Sequence, residues 1–277
     1  PFNAVKSGSQ AAAYYAVRAV TDSSIPTNGG CFRPVSLHLP EGTLVNPVEP
    51  APVNSRTATL KRIAGSIVGA LKGALPGDIP ADSAGELLVL SLGGKHSDGK
   101  PYVVGEFNAG GSGGGPRKDG VDVIETDGSN CMNMPVEALE LEAPARVHRM
   151  SLRTDSGGVG EFRGGLGCVR EIEFLTDDIA LTHRGERHRH AARGSQGGGD
   201  GAKAFSKIIR RDGSEEVVNS KLFTIVHAGE RLILETAGGG GYGKSNNRDR
   251  QAIRDDVSNG KVSQQCANAE YGLGDVN

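Results

Sequence analysis

The sequence predicts an α+β fold, with N-terminal amphipathic helices packed with an antiparallel, glycine-rich β region and a short helical C-terminal tail. Three observations support this prediction. Apolar residues repeat at helical spacing before residue 80. Short β-like runs separated by turn residues follow. Glycines recur between those runs, which indicates tight turns or backbone packed too closely for a Cβ atom.

Two helices are predicted before residue 80. Residues 9–20 carry one apolar stripe, and residues 57–75 repeat apolar side chains every three or four positions. The pair Pro76-Gly77 would end the second helix. Between the two helices, the alternation over residues 34–39 predicts a strand before the turn Pro40-Glu41-Gly42.

The segment after Pro80 predicts an antiparallel meander, because turn dipeptides such as Asp98-Gly99 and Asp212-Gly213 separate its apolar runs. The predicted strands are Leu87–Leu92, Tyr102–Phe107, Val147–Leu152, Val169–Leu175, Ile179–Thr182, Phe205–Arg210, Leu222–Val226 and Leu232–Leu234.

The tail over residues 247–272 returns to polar helical segments, with Ser263 as a helix N-cap and Gly272 as a C-terminal stop. We therefore expect three segments along the chain. Residues 1–140 form a helix-containing α+β segment, residues 141–245 a β-rich domain, and residues 246–277 the helical tail.

Composition excludes several classes of protein. The 277 residues include 31 basic and 33 acidic side chains, a net charge of -2, so neither nucleic acid nor an anionic membrane is an expected partner. There is no apolar stretch near 18 residues and no secretory leader, which predicts a cytoplasmic protein. The four cysteines show no C-x-x-C spacing, so we expect reduced, mostly buried thiols and no structural zinc.

A glycine loop over residues 106–115 follows a predicted strand, as a phosphate-binding loop would. It lacks the Lys-Ser/Thr of a Walker A loop, and Pro116 with charged residues follows it where a dinucleotide-binding fold would have a helix. ATP binding is therefore the weaker interpretation. The favoured one is a loop that permits close backbone approach beside a subunit interface or cavity.

Arg163 lies inside a second glycine-rich run, residues 156–170. Its guanidinium could bind a carboxylate or phosphate through two parallel hydrogen bonds. More often an Arg in such a place is an internal fastener that pairs with an acidic residue or caps carbonyl groups.

Residues 183–190, His-Arg-Gly-Glu-Arg-His-Arg-His, form the only imidazole cluster. On a strand, His188 and His190 would share one face with Glu186, as a metal or proton-transfer site requires. Three arginines nearby oppose cation binding, so no metal is assigned here. Anion contact and a solvated or interface loop are the alternatives.

Further polar residues are weaker candidates. The carboxylates of residues 119–127 resemble a paired set, but Asp119-Gly120 and Asp127-Gly128 are ordinary turn dipeptides. The amides of Asn130 and Asn133 could orient a partner's carbonyl or close an Asx turn. There is no Gly-x-Ser-x-Gly elbow and no cysteine beside a His motif, which disfavours a self-contained hydrolase.

Several motifs occur together in a fixed order. They are residues 25–34, residues 39–47, Glu106 with its glycine loop and Asp119-Gly120, residues 129–137, the run 156–170, and the tail from Gly238 through Gly272. In these motifs the chain resembles the hydantoinase B/oxoprolinase family, found in ATP-dependent N-methylhydantoinases, 5-oxoprolinases and related acetone carboxylases.

The resemblance implies a C-terminal half of a B-type subunit, because members of the family are about twice this long. Their metal-binding region would lie before Pro1, in the missing N-terminal half. A hydantoinase A-like partner subunit would bind ATP with Mg and phosphorylate a hydantoin, 5-oxoproline or lactam. A divalent metal, Zn, Mn or Fe, in the missing half would then assist ring opening.

In this picture the chain alone binds no cofactor, is inactive, and works within a hetero-oligomer. Glu106, Asn130, Arg163 and His188 are the candidates for lining a cavity. Two alternatives stay open: an ATP-dependent ketone carboxylase of the acetone or acetophenone type, and a non-catalytic structural or assembly subunit.

Overall fold

The structure is a computed structural model that describes residues 2–22, 24–75 and 77–274. Helices and antiparallel sheets are both present in this part of the chain, which confirms the α+β class. The chain divides into two compact units, Pro1–Ile79 with Thr126–Asn130, and Pro80–Glu125 with Cys131–Asn277. The segment boundaries predicted at residues 140 and 245 are a different division of the chain, and they stay a prediction.

The first unit contains helices α1 (Lys6–Val20), α2 (Gly29–Phe32) and α3 (Arg56–Leu71). Helices α1 and α3 pack together, and α1 buries a stripe of small residues that includes Ala12 and Ala16. Both predicted long helices are confirmed, but α3 ends four residues before the predicted Leu75. Gly69 and Gly73 weaken helix formation there, and the predicted stop at Pro76 lies outside the described residues.

The strand predicted over residues 34–39 is wrong. These residues follow a turn in which the Val35 N–H donates to Phe32 O at 3.0 Å, and they join no ladder among the described strands. Alternating side chains satisfy one face of a strand, but a strand also needs a neighbouring backbone to accept and donate hydrogen bonds.

The second unit contains two antiparallel sheets. Their strands are β1 (Leu87–Lys95), β2 (Pro101–Ala109), β3 (Ala145–Leu152), β4 (Cys168–Phe174), β5 (Ile179–Arg184), β6 (Phe205–Ile209), β7 (Glu215–Val217), β8 (Lys221–Val226) and β9 (Arg231–Glu235). Sheet I has the order β2-β1-β5-β8, and sheet II the order β3-β4-β9-β6-β7. Every neighbouring pair is antiparallel, as the turn dipeptides predicted.

All eight predicted strands are present, with bounds shifted by at most three residues. Strand β7 was not predicted, because its three residues are all exposed and therefore show no alternation. The short helix α4 (Val136–Glu142) was also missed; it buries only Leu139. Elements this short leave almost no periodic signal in a sequence.

The core of this unit lies between the two sheets. Leu88, Leu90 and Leu92 alternate along β1 and point inward from sheet I. Ile172 and Phe174 of β4 point inward from sheet II, and all belong to one buried cluster. The two sheets therefore form a sandwich that shares a single apolar core.

Beyond the core, four glycine-rich segments pack backbone against backbone. We call residues 110–115, 156–167, 194–201 and 237–243 the glycine mesh. A Cβ atom on Gly111 would lie 1.8 Å from Gly165 O, and one on Gly239 would lie 1.9 Å from Ser112 O. Hydrogen bonds connect the segments, including Gly239 N–H to Gly165 O at 2.9 Å. The predicted close backbone approach is confirmed.

The helical tail is also confirmed, as α5 (Arg250–Ser258) and α6 (Gln264–Tyr271). The Ser263 side chain accepts the Cys266 N–H and caps α6, while Gly272 ends it with a left-handed φ of 59°. Ile253 and Tyr271 belong to the small core that holds the two helices together.

Two findings concern the chain as a whole. Within the described residues, every helix is too short or too polar to cross a membrane. All four cysteines are unpaired, but only Cys168 is buried, so the expectation of mostly buried thiols holds for that residue alone.

The glycine mesh makes a direct prediction about stability. Gly111→Ala should destabilise the protein by about 3 kcal/mol or more, because its Cβ would overlap the Gly165 carbonyl and force the backbone to move. Gly105→Ala is the matched control, since that glycine has no atom within 4 Å of a new Cβ. Chemical denaturation measures both, and equal stability of the two variants would contradict the tight packing of the mesh.

Candidate functional site

The glycine loop after β2 does not form a phosphate cradle. Its amides from Gly111 to Gly115 all donate hydrogen bonds within the chain. In chain order the acceptors are Ala237 O, Val121 O, Ser83 Oγ, Gly240 O and Lys118 O, at 3.0, 3.0, 3.1, 2.8 and 2.9 Å. Phosphate loops bind their ligand with free amides, so the ATP-binding interpretation of this loop is wrong and the close-packing one holds.

Glu106 lies on the inner face of β2 and forms an ion pair with Arg170 of β4, which connects the two sheets. Both side chains are almost fully buried, at 1% and 0% exposure. Burial raises the pKa of Glu106, and the Arg170 charge opposes that rise. We place a carboxylate here, because a neutral Glu106 would leave the guanidinium as an unpaired buried charge.

A second polar pair connects the sheets at the same level. His183 Nε2 lies 3.0 Å from Ser206 Oγ, and both residues are fully buried. Leu90 is paired with Glu106 on one side and His183 on the other, while Leu234 is paired with Arg170 and Ser206. The register thus aligns the two pairs in one row across the sandwich.

Asn108 follows Glu106 on the same inner face of β2 and is fully buried. Neither atom of its amide group has a hydrogen-bond partner among the described residues, and the same is true of Arg170 Nε and Nη2. We call Glu106, Asn108, Arg170, His183 and Ser206 the polar layer. Buried polar groups without partners are rare and costly, which marks this layer as a candidate for function.

Glu86 lies immediately before β1, close to the glycine mesh. Its carboxylate accepts the Glu186 N–H at 2.5 Å and the Ala237 N–H at 3.5 Å. Burial raises the pKa of Glu86 to about 7, against the opposing effect of those two amides. This carboxyl group therefore changes charge close to neutral pH.

His188 lies beyond the end of β5 at Arg184, in an irregular loop. Its Nδ1–H donates to Glu186 O at 2.7 Å, which leaves Nε2 as the buried, unpartnered acceptor. Its ring meets that of His183 edge to face at 5.4 Å. Burial lowers the pKa of both residues, that of His183 to about 4, so both rings are neutral at pH 7.

The shared strand face proposed for His188, His190 and Glu186 does not form. Strand β5 ends at Arg184, where its pairing with β8 also ends, and His190 is exposed. Arg187 adopts a left-handed φ of 57° and caps the carbonyls of Ser83, Ala84 and Ala191. The loop is therefore shaped by internal capping.

Arg163 is buried in an ion-pair network. Its Nη1 lies 3.2 Å from Asp122 Oδ1, and its Nε lies 3.4 Å from Asp256 Oδ2. Arg248 binds both oxygens of Asp119, at 2.6 and 2.7 Å, and Asp256 at 2.7 Å. This geometry is that of an internal fastener between the glycine mesh and the tail.

The network corrects the interpretation of the carboxylates at residues 119–127. Asp119-Gly120 is not a turn, because Gly120 packs against Ser112 O and the Asp119 side chain binds Arg248. Asp127-Gly128 keeps the turn role, with φ of 64° and 88°. Sequence reasoning missed Arg248 and Asp256, and no local motif signals them.

The three candidates of the second unit fall into two places: Glu106 lies in the polar layer, His188 contacts the His183 ring of that layer, and Arg163 lies in the Arg248 network. Asn130 belongs to the first unit and is exposed. An open pocket of about 340 Å³ lies beside the Arg248 network, and Lys118, Glu161 and Phe162 are among its lining residues. The roles of Glu106, Asn130, Arg163 and His188 in lining a catalytic cavity stay predictions.

Within residues 2–22, 24–75 and 77–274, no three His, Cys, Asp or Glu side chains are placed to hold a metal ion. Which cofactors the complete enzyme uses stays a prediction.

Comparisons with known proteins agree with one another. A family model described as hydantoinase B/oxoprolinase matches residues 1–245. The chain is 31% identical to the B-type member of a putative D-/L-hydantoinase from Pseudomonas sp. strain NS671, covering 95% of the chain and 45% of that protein. It is 33% identical to the beta subunit of the Pseudomonas jessenii caprolactamase, covering 90% and 45%. The chain thus spans about half the length of the relatives it matches.

Solved structures show the same relationship. The ATP-dependent caprolactamase from Pseudomonas jessenii matches with a TM-score of 0.87 and 30% identity, over 100% of this chain and 50% of that one. A nucleotide-free acetone carboxylase matches with a TM-score of 0.78, over 98% of this chain and 41% of that one. Its identity is 20%, so this second likeness shows the fold alone.

The buried network predicts a large effect of removing one carboxylate. Asp256→Ala should destabilise the protein by about 3 kcal/mol, because Arg163 and Arg248 would remain buried with less compensating charge. Glu215→Ala, which removes an exposed partner of Lys207, is the control and should cost at most about 1 kcal/mol. Denaturant unfolding compares them, and similar losses would show that the network stabilises little.

Glu86 predicts a pH dependence of stability. Its pKa is 4.5 unfolded and about 7 folded, so the folded state binds the proton more tightly. Stability from this group is therefore present below pH 4.5 and is lost as pH rises to about 7, by about 3 kcal/mol.

Glu86→Gln tests this through the difference between wild type and variant, in which Glu106 and His183 titrate equally and cancel. The free energy of unfolding of the wild type relative to the variant should fall between pH 4.5 and 7 and be flat outside that range. A difference that does not change with pH would mean that folding leaves the pKa of Glu86 at its unfolded value.

Proposed function

Because the chain belongs to the hydantoinase B/oxoprolinase family, we propose that it forms the C-terminal part of the B-type subunit of an ATP-dependent cyclic-amide hydrolase. One observation carries this proposal: the entire chain matches half of the ATP-dependent caprolactamase chain at 30% identity. The hydantoinase and caprolactamase relatives, both named as subunits, support an enzyme that works with a partner subunit.

The proposed reaction follows from the stability of the amide. Resonance protects the planar amide carbon from water, and phosphorylating its oxygen removes much of that protection. A hydantoinase A-like partner would transfer the γ-phosphoryl group of ATP to the amide oxygen, releasing ADP. Water then adds to the ring carbon, the C–N bond breaks and the nitrogen takes a proton. A second water releases phosphate from the resulting acyl phosphate.

In this proposal the ATP site belongs to the partner and any metal site to the half of the B-type polypeptide outside this chain. This chain supplies a rigid surface beside them. Glu106 and Arg163 are too buried to touch substrate as they stand, so we assign them positioning roles that hold the sheets and the glycine mesh. Asn130, which is exposed, and His188, which is partly exposed, remain the candidates for direct contact.

The subunit names of the two relatives favour a hetero-oligomer, and a cytoplasmic location is part of the same proposal. A ketone carboxylase is the second candidate function, because the same fold occurs in an acetone carboxylase. The two reactions share activation by ATP and differ in the attacking group, which is water in one and a carboxyl donor in the other.

Turnover of ATP tests the proposal. The chain, purified with its companion polypeptides, should release ADP when 5-oxoproline, a hydantoin or caprolactam is present, with one ring opened per ADP. Acetone or acetophenone with bicarbonate should give no such release. Hydrolysis of substrate by the isolated chain without ATP would refute the proposal, and ketone-dependent ADP release would replace it with the carboxylase.

A matched pair of variants tests the part played by this chain. His188→Asn should lower turnover at least about tenfold with normal assembly, because in this proposal the partly exposed His188 contacts the reacting groups. His190→Asn, in the same loop but exposed, should not. Equal activity of the two assembled variants would contradict a role for His188 in turnover and would favour a purely structural role for this chain.

A further inference from the structure

The two outer faces of the sandwich differ in chemistry. The outer face of sheet II carries ion pairs that suit water. They are Arg231–Glu171 at 2.6 Å, Lys207–Glu215 at 2.6 Å, and Arg153–Glu235 at 2.9 Å at its edge. A hydrogen bond of 2.7 Å joins His148 Nε2 and Glu173 Oε2 on the same sheet. This face also exposes Phe205 and Val217. The outer face of sheet I carries large apolar side chains with no ion pair across its centre among the described residues. Val103 is 85% exposed and Phe223 is 69% exposed.

The strand register shows that these side chains form one surface. Val103 of β2 aligns through Gly93 and Ala180 with Ile225 of β8. In the next outward row, Gly105 aligns through Ser91 and Thr182 with Phe223. We call Val89, Val103, Phe107, Ala180, Phe223 and Ile225 the apolar face.

The apolar face has the shape of a trough. Its most exposed large side chains stand on the two edge strands, β2 and β8. The central strands β1 and β5 carry the smaller Ser91, Gly93 and Ala180 between them, with Val89 toward one end. Three strand spacings separate the edges, about 14 Å, which accommodates an α-helix about 10 Å across. Charges appear only at the ends of the trough, at Lys95, Arg184 and Lys221, as at the rim of a protein interface.

We propose that this trough is the docking surface for an amphipathic helix from the other half of the B-type polypeptide, an inference that rests on the proposed function. An antiparallel sheet that faces water normally carries polar outward residues, so a charge-free centre requires a permanent cover. In the caprolactamase, this fold accounts for 50% of its chain, so a polypeptide of similar length accompanies it in every molecule. That companion is present at the constant stoichiometry a permanent interface needs.

Thiol labelling of the assembled enzyme tests the docking. Val103→Cys places a thiol in the trough, and Val217→Cys places one on β7 of sheet II, at a valine that is 64% exposed. In the assembled enzyme the first thiol should react about tenfold more slowly than the second, because an interface must open to admit the reagent. Peptide mass mapping separates both from the four native cysteines. Equal reactivity of the two thiols would overturn the proposal.

The identity of the occupant needs a second measurement. A thiol-linked photoreactive group on Val103→Cys should attach to a peptide from the other half of the B-type polypeptide. Attachment to the A-type subunit or to a second copy of this chain would overturn the proposal. Phe223→Glu should weaken association of the two halves about a hundredfold, since it buries an unpaired charge, while Val217→Glu should not.

The thiol labelling, the photoreactive attachment and the association measurement do not depend on catalytic activity. If the assembly forms and opens no cyclic amide, the proposed function fails while the labelling still decides the docking. If the enzyme is active and the thiol of Val103→Cys reacts freely, the docking alone fails. Finding no companion polypeptide with this chain would overturn both.

Discussion

The structure of the second unit depends on backbone packing that leaves no room for side chains. In the glycine mesh a Cβ atom on Gly238, Gly111 or Gly164 would lie within about 2.0 Å of a carbonyl oxygen from another segment. Each segment thereby becomes the hydrogen-bonding surface of the next, as strands are in a sheet. Because the segments continue from β2, β4 and β9, the mesh also fixes how the two sheets meet at this end of the sandwich.

The buried charges are fully paired on one side of the glycine mesh and only partly paired on the other. Toward the tail, Arg163 and Arg248 are matched by three carboxylates, and the carboxylates of Asp119 and Asp256 outweigh the burial that would lower the pKa of Arg248. Toward the core, the Glu106–Arg170 pair is left with unsatisfied nitrogens beside an unpartnered Asn108. A network whose charges are all paired stabilises the loops around it. A partly satisfied network costs stability, and such networks are typical of functional sites.

Local chemistry explains which features could be predicted from sequence. The alternating leucines of β1 and the cap residues Ser263 and Gly272 act within a few residues of themselves, so their signals are readable along the chain. The partner of Arg248 is Asp119, 129 residues away, and no spacing rule reaches that far. The same limit explains the wrong strand at residues 34–39, since ladder partners come from the fold and not from alternation.

The core between the two sheets is complete, whereas the apolar face of sheet I has no layer packed against it among the described residues of the second unit. A sandwich needs two inner faces to make a core, and this chain supplies both, so its second unit has what folding requires. The apolar face of sheet I repeats the inner-face pattern on the outside, which means that sheet I is built to be a middle layer. Sheet II, with Arg231 and Glu171 paired in water, is built to be an outer one. Val103 and Phe223 would promote aggregation if they stayed exposed, and the proposed docking supplies the third layer that covers them.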